Sequence, residues 1–461
     1  MKPWTPQHLA ACAGATLAAP ADGTAGPERV TIDSREAGPG TLFVGLSGSR
    51  QDGGSFAAPA LAAGAWGVLV TPAHAAAARG AGPGVVLAAE DPLHALQALA
   101  TAWRRELGAG GADGGGGFQV IGVTGSTGKT STKDILSALL APHRRTVASR
   151  ANYNTEIGVP LEILAADAGT ELLVLELAMR GAGQIAELAT IAAPDVGVIV
   201  SIGPVHLELL GTVENVAAAK AELIAGLTAG ATAIVPVGER LLDPHLRPDV
   251  ETVTFGDGGE VHYERQEDAR VVIDARGERI ELEVSFRQTH LRTDLLAAVA
   301  AAQAVGVTPS GVVELALSSG RGESVVLAGG VTVIDGCYNA NPMSMRAALT
   351  DLADSAARSG APRRVAVLGD MLELGPDRRA YHLELGEVVT AAGVDLLVTV
   401  GPLAAAIAER FDGEAQVVAD AGEAAAIVPE LLEPGDVVLV KGSLGVGLKR
   451  VCQALGVGGE G

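Results

Sequence analysis

Short apolar runs alternate along this chain with stretches in which leucine and alanine recur every three or four residues, the pattern expected of an α/β architecture. In the first hundred residues the runs are Val30 to Ile32, Leu42 to Leu46, Trp66 to Val70 and Val85 to Ala88, followed by a helical pattern from Pro92 to Leu107. Ahead of them, Thr5-Pro6 reads as an N-cap with proline in the first helical position, and Gly14 as the stop of a short helix. These elements predict a small α/β unit. Gly108 to Gly117 is almost entirely Gly, Ala and Asp, too poor in apolar surface to pack, so a linker and a domain boundary are expected there.

Beyond the linker, Val120 to Val123, Leu172 to Leu177 and Val196 to Ser201 read as buried strands with helical stretches between them, hence a largely parallel sheet. The pattern then changes. Ile280, Leu282, Val284 and Phe286 alternate with polar residues, and Ala275-Arg276-Gly277-Glu278 separates them from Arg270 to Ile273, which predicts an antiparallel hairpin. After a helix around Leu295 to Ala304, the strands Val331 to Asp335, Arg364 to Leu368, Leu396 to Val400 and Val437 to Val440 predict a second doubly wound sheet. The expected fold class is therefore α/β with three domains, 1–108, 118–320 and 321–461. The middle one is a P-loop-type parallel sheet with a small antiparallel portion, and the last is Rossmann-like.

Composition refines this picture. A chain of 461 residues is too long for one ordinary core, and with only 3% aromatic residues its packing must rest on Leu, Val and Ala. A formal net charge of −21 argues against nucleic-acid or anionic-membrane partners, which need basic surfaces. Cys12, Cys337 and Cys452 are odd in number and far apart, so buried free thiols in a reducing compartment are expected. The run from Lys2 through Leu9 to Ala19-Pro20-Ala21 loosely imitates a secretory leader, but Trp4, Gln7 and His8 break that pattern. No stretch stays apolar for the ~20 residues of a membrane span. A soluble, cytoplasmic protein is expected.

Candidate chemistry begins at Thr124-Gly125-Ser126-Thr127-Gly128-Lys129-Thr130, which follows an apolar strand and opens a helix. Glycines there let backbone N–H groups approach phosphate oxygens, Lys129 adds a point charge, and the Thr130 hydroxyl suits magnesium. The loop is shorter than the standard Walker spacing, with Val123 at the position of its first glycine. Glu176 ends one strand and His206 follows the next, and both fall at the carboxyl edge where ligands of parallel sheets collect. Lys220 lies on a helix that Thr212 can cap, where a surface lysine is the plain alternative. Asp335, Tyr338, Asn339 and Asn341 follow a third-segment strand, with ordinary turn asparagines as the plain alternative. Lys441 also ends a strand and could meet a phosphate or carboxylate.

Read in order, these segments resemble the Mur ligase family over nearly the whole chain. The resemblance rests on Asp33-Ser34-Arg35 and Asp52-Gly53 in the first segment. The second contributes the phosphate loop with Ser131, Asn152-Tyr153-Asn154-Thr155-Glu156-Ile157-Gly158, Gly203-Pro204-Val205-His206-Leu207-Glu208 and Ala219-Lys220-Ala221-Glu222, and the third Asp335 to Met345 and Leu368 to Gly375. It implies an ATP- and magnesium-dependent ligase, expected to be a cytoplasmic monomer, whose substrates are UDP-N-acetylmuramoyl-tripeptide and D-alanyl-D-alanine. Thr124 to Ser131, Asp335, Asn339 and Asn341 would bind ATP, and Lys129, Glu176, His206 and Lys220 would be catalytic. Thr130, Glu176, His206 and a carbamylated Lys220 would hold the metal, and Ser34, Arg35, Asn152, Asn154 and Lys441 would bind substrate. The pattern departs from the family at Gly54, Thr155, Leu291, Asp294 and Leu444. Two other readings stay open: a ligase of this architecture with another amine acceptor, and a nucleotide-binding partner without catalysis.

Overall fold

A computed structural model of the chain describes residues 4–19, 25–49, 51–109, 117–150, 152–315 and 320–458. Helix α1 (Pro6–Ala13) starts where Thr5 Oγ1 accepts the His8 N–H at 3.2 Å and stops at Gly14, whose φ is 60°. Five strands follow: β1 (Thr16–Ala19), β2 (Arg29–Thr31), β3 (Thr41–Val44), β4 (Gly67–Val70) and β5 (Val85–Ala88). Their spatial order is β1-β5-β4-β3-β2, parallel except for β1. Helices α2 (Ala57–Ala62) and α3 (Pro72–Ala78) cover one face, while α1 and the long α4 (Pro92–Ala109) lie on the other. Gly108 thus belongs to a helix rather than to the expected linker, because Leu107 is still buried and anchors the last turn. Residues 110–116 of that linker lie outside the described residues, as do Lys2, Pro20 and Ala21 of the leader-like run.

The central sheet has ten strands: β6 (Gln119–Thr124), β7 (Thr146–Ala148), β8 (Leu172–Glu176), β9 (Val196–Ile199), β10 (Thr232–Pro236), β11 (Glu251–Phe255), β12 (Val261–Glu267), β13 (Arg270–Ala275), β14 (Glu278–Val284) and β15 (Gly311–Val313). Their order is β15-β14-β13-β12-β11-β10-β9-β6-β8-β7, and only β12-β13-β14 pair antiparallel. The turn between β13 and β14 has Arg276 and Gly277 at φ 60° and 85°, the left-handed pair of a tight hairpin that matches strand twist. Helices α5 (Lys129–Leu140) and α10 (Thr289–Ala304) pack on one face. On the other face lie α6 (Gly158–Ala165), α7 (Gln184–Ala192) and α9 (Val213–Ala225), with the short α8 (Leu207–Leu210) between β9 and α9.

The third sheet has the order β16-β17-β21-β18-β19-β20, built from β16 (Glu323–Val326), β17 (Thr332–Gly336), β18 (Arg364–Gly369), β19 (Leu396–Val400), β20 (Glu414–Val418) and β21 (Val437–Lys441). All pair parallel except β16. One face carries α11 (Pro342–Ser359), α12 (Arg378–Ala391) and α13 (Ala405–Ala408), and the other α14 (Ala421–Leu431) and α15 (Lys449–Ala454), giving the doubly wound form expected.

The cores show how these units are joined. Leu99, Trp103 and Leu107 of α4 lie in one continuous cluster with Leu42 and Leu87 of the first sheet and with Ile163, Leu173 and Leu188 of the central unit. Trp103 Nε1 donates to the Ala166 carbonyl at 2.8 Å, and Arg104 pairs with Asp195 at 2.8 Å. The third sheet keeps two clusters of its own. Cys337 and Cys452 are buried there with sulfurs 3.4 Å apart, whereas Cys12, expected to be buried, is only half-buried because it packs at the rim of the core, where α1 meets α4. Among the described residues no helix is long and apolar enough to cross a membrane.

Candidate active site

The site assembles at the carboxyl ends of parallel strands from two sheets. After β6 the chain turns through Gly125 to Gly128 into α5, and Gly128 has φ 81°, where a Cβ would meet Asp294 and Val200. The turn is braced by the loop after β9. Ser126 Oγ donates to the Gly203 carbonyl and accepts the Gly203 N–H, both at 3.0 Å, and the Thr127 N–H donates to Ser201 Oγ at 2.9 Å. First-turn N–H groups of α5 have no intrahelical acceptor and form the positive end of the helix dipole, which makes this end an anion seat. Lys129 Nζ donates to the Gly125 carbonyl at 2.8 Å. Enclosure by protein pulls its pKa below the usual lysine range, opposed by Glu176 and reinforced by Arg321.

Glu176 ends β8 and is buried. Its Oε2 accepts the Thr130 hydroxyl at 2.6 Å and its Oε1 accepts Asn154 Nδ2 at 2.9 Å. His206 caps α8 with φ 52°, and its Nδ1 lies 2.5 Å from Glu373 Oε2. Burial lowers its pKa despite Glu373, and Lys220 and Lys129 add to the lowering, which favours the uncharged ring. Lys220, on α9, is 2% exposed, and among the described residues no hydrogen bond or ion pair reaches its ammonium. Burial, with Lys129 nearby, holds its pKa well below the ordinary value.

The facing wall comes from the third sheet. Lys441, the last residue of β21, donates from Nζ to the Asn339 carbonyl at 2.9 Å, and burial brings its pKa down to about 8. Asn339 Oδ1 accepts the Ala340 N–H at 2.8 Å. Asn341 caps α11 through the Ser344 N–H at 2.9 Å, with Ser344 Oγ accepting the Asn341 N–H at 3.0 Å, a complete capping box. Asp335 is buried behind this wall and accepts the Cys337 N–H at 3.0 Å. Between the walls lies a cavity of about 970 Å³.

That cavity brings together Ser126 to Ser131, Asn154, Glu176, His206, Asn339, Asn341 and Lys441 from the sequence expectations. Thr124, Gly125, Lys220 and Asp335 are not among its lining residues. Asn152 is tied to the facing wall, its Oδ1 accepting the Tyr338 hydroxyl at 2.6 Å. Ser34 and Arg35 lie away from the cavity, in an exposed turn of the first unit where Arg35 pairs with Asp33 and holds that carboxyl at about 2. The departure at Gly54 has a structural reason. A side chain there would collide with the ring of His74, which reaches Asp52 at 2.7 Å from α3.

Several lining residues were not among the site candidates of the sequence reading, where Leu291 and Asp294 stood only as departures. Arg321 places its guanidinium 3.8 Å from the Tyr338 ring centroid, and its only sequence signal was a basic residue between two segments. Asp294 accepts the Ser131 hydroxyl at 2.5 Å, and burial pushes its pKa up to about 7. His290 and Asp351 meet at 3.3 Å across the two walls, pushed by burial to about 4 and about 7. Leu291, another departure, also lines the cavity, while Leu444 is exposed.

Comparison with known proteins adds an independent line. Residues 123–302 match the Mur ligase middle domain, and residues 320–444 match the Mur ligase glutamate ligase domain. A UDP-N-acetylmuramoyl-tripeptide--D-alanyl-D-alanine ligase of Mycobacterium tuberculosis is 36% identical over 92% of this chain and 91% of its own length. The crystal structure of MurF from Acinetobacter baumannii superposes with a TM-score of 0.85 at 26% identity, covering 99% of each chain. That of MurF from Thermotoga maritima, in complex with ADP, gives 0.78 at 28% identity over 93% of this chain and 96% of that one.

Proposed function

The chain belongs to the Mur ligase family, and on that footing we propose that it joins D-alanyl-D-alanine to UDP-N-acetylmuramoyl-tripeptide at the expense of ATP. It is an ATP-dependent amide-bond ligase acting on a peptidoglycan precursor. The observation that carries this reading is the single cavity in which the phosphate loop, Glu176 and His206 face Asn339 and Lys441 of the third unit. The proposed domains are 1–108, 118–320 and 321–461, and the proposed setting is a cytoplasmic monomer, where ATP and a nucleotide-linked precursor are both at hand.

In the proposed reaction a carboxylate oxygen of the tripeptide attacks the γ-phosphorus of ATP. The new P–O bond forms as the β,γ-bridging bond breaks, and ADP leaves with the electron pair. The amine of D-alanyl-D-alanine then attacks the acyl carbon, phosphate departs, and the nitrogen loses a proton. Lys129 and the α5 N-terminus stabilise charge on the transferred phosphoryl group, a contribution of position and electrostatics. Lys441, with its pKa near 8, is a cation at neutral pH on the opposite wall. Thr124 to Thr130 and Ser131 would bind ATP, with Asn339 and Asn341 facing them, Asp335 bracing the turn behind, and Ser34, Arg35, Asn152 and Asn154 serving the UDP-linked substrate.

The Thr130 hydroxyl, the Glu176 carboxylate and the neutral His206 ring form a mostly oxygen donor set that fits a hard divalent cation. Magnesium bound there would offset phosphate charge. Lys220 as an ammonium does not fit such a site, since it offers no acceptor. Its burial with no counterion among the described residues supports carbamylation: the neutral amine adds carbon dioxide, loses a proton and becomes an anionic oxygen donor. Lys220→Ala should therefore be nearly inactive and regain turnover with small carboxylates. A fully active Lys220→Ala enzyme would remove that role.

Phosphate release with ATP, UDP-N-acetylmuramoyl-tripeptide and a panel of amines tests the reaction. Dependence on D-alanyl-D-alanine is expected. Dependence on another amine would select a different acceptor, and release with none would leave only nucleotide binding.

A further inference from the structure

Five non-glycine residues among those described have positive φ, and two of them, His206 at 52° and Glu373 at 62°, hold each other. They come from different units. His206 follows β9 of the central sheet, and Glu373 lies in the loop after β18 of the third, 167 residues later. A left-handed backbone is disfavoured for any residue with a Cβ and persists where surrounding contacts over-determine it. Here those contacts are specific. The Glu208 N–H donates to the Glu373 carbonyl at 3.2 Å, Gly375 packs against the backbone of Leu207, and Arg180 approaches Glu373 Oε1 at 3.9 Å.

The side chains complete the arrangement. Glu373 Oε2 lies 2.5 Å from His206 Nδ1, which leaves Nε2 as the ring nitrogen available to the cavity that His206 lines. A carboxylate on one imidazole nitrogen selects the tautomer with the proton on that nitrogen and leaves the lone pair on the other. Glu373 does not line the cavity, so it acts through the ring.

We propose that Glu373 is a positioning residue: when the third unit lies against the central one, its carboxylate locks His206 in the Nδ1-protonated tautomer and aims Nε2 at the phosphate end of the site. Seating of the third unit thereby completes a group that belongs to the central one. The proposal rests on the reading of His206 as a site residue, and it adds an interdomain requirement to that reading.

Three variants separate the causes. Glu373→Ala removes the acceptor, Glu373→Gln keeps one acceptor oxygen, and Glu373→Gly keeps the left-handed backbone without strain while removing the side chain. Nitrogen-15 NMR of the nucleotide-free protein, with the ring assigned through a His206→Asn control, should report the Nδ1-protonated tautomer in the wild type and in Glu373→Gln, and a mixture in the other two. Manganese affinity read by electron paramagnetic resonance should fall ~10- to 100-fold in Glu373→Ala and Glu373→Gly, with kcat falling in the same range, KM for ATP little changed and melting unchanged. Substantial recovery is expected in Glu373→Gln. An unaltered tautomer and unaltered manganese affinity in Glu373→Ala would overturn the proposal. Wild-type protein without D-alanyl-D-alanine-dependent turnover would instead sink the reaction reading, while the tautomer and manganese measurements would still judge Glu373.

Discussion

Leu99, Trp103 and Leu107 of α4 join the first sheet to the central one through a shared apolar core, whereas the third sheet meets the central one mainly through the polar pairs His206 with Glu373 and Tyr338 with Asn152, with Tyr381 and Met343 as apolar contacts, around an open cavity. The two seams differ in what separation would cost. Parting the first exposes apolar area at about 25 cal/mol per Å², while each polar pair of the second exchanges with water for a net ~0.5 to 1.5 kcal/mol. The first seam is therefore the more costly one to part. Function sits at the seam that is cheap to part.

The largest effect should come from the first seam. Trp103→Ala removes a buried ring and its bond to the Ala166 carbonyl, and should lower the unfolding free energy by ~3 to 5 kcal/mol in urea titration. A loss below ~1 kcal/mol would mean that α4 is not a shared core element.

A pH-dependent effect tests the working seam, which holds a group poorly suited to neutral pH. The folded Asp294 carboxyl has its pKa pushed up to about 7 from 3.8 by burial, with Ser131 and Thr132 opposing. Because the folded state binds this proton more tightly than the unfolded one, wild-type stability should fall as pH rises from about 4 to about 7 and then level. The slope is at most ~1.4 kcal/mol per pH unit. Asp294→Asn should flatten that part of the urea-midpoint profile. An identical slope in the variant would show the carboxyl ionised in the folded state.

The smallest effect sharpens the contrast most directly. Tyr338→Phe keeps the ring under Arg321 but deletes the bond to Asn152, at a cost of ~0.5 to 1.5 kcal/mol to the seated arrangement. Steady-state kinetics should show KM raised severalfold with melting unchanged. A melting loss rivalling that of Trp103→Ala would erase the distinction between the seams.

What could be read from the chain alone was local. Thr5, Pro6 and Gly14 bounded α1, Arg276-Gly277 specified a hairpin turn, and the glycines before Lys129 announced an anion-binding helix start, since caps, φ preferences and period-two burial act within a few residues. Short or edge elements escaped that reading. The strand β1 offers four residues in an Ala-rich stretch, and β16 and β20 are edge strands with mostly exposed side chains, so none carries a clear apolar run. Strand-end position and the resemblance together supplied Glu176, His206 and Lys441 as candidates, but not Arg321, Asp294 or Glu373.

The sequence by itself determined the alternation of strands and helices, the phosphate loop and the family to which the chain belongs, because short-range chemistry and motif order are written along the chain. Only the tertiary structure decided which seam is mainly apolar and which mainly polar, that Lys220 is buried with no counterion among the described residues, and that a carboxylate 167 residues downstream holds His206. Those outcomes depend on which surfaces the three sheets turn toward one another, and local spacing does not encode that choice.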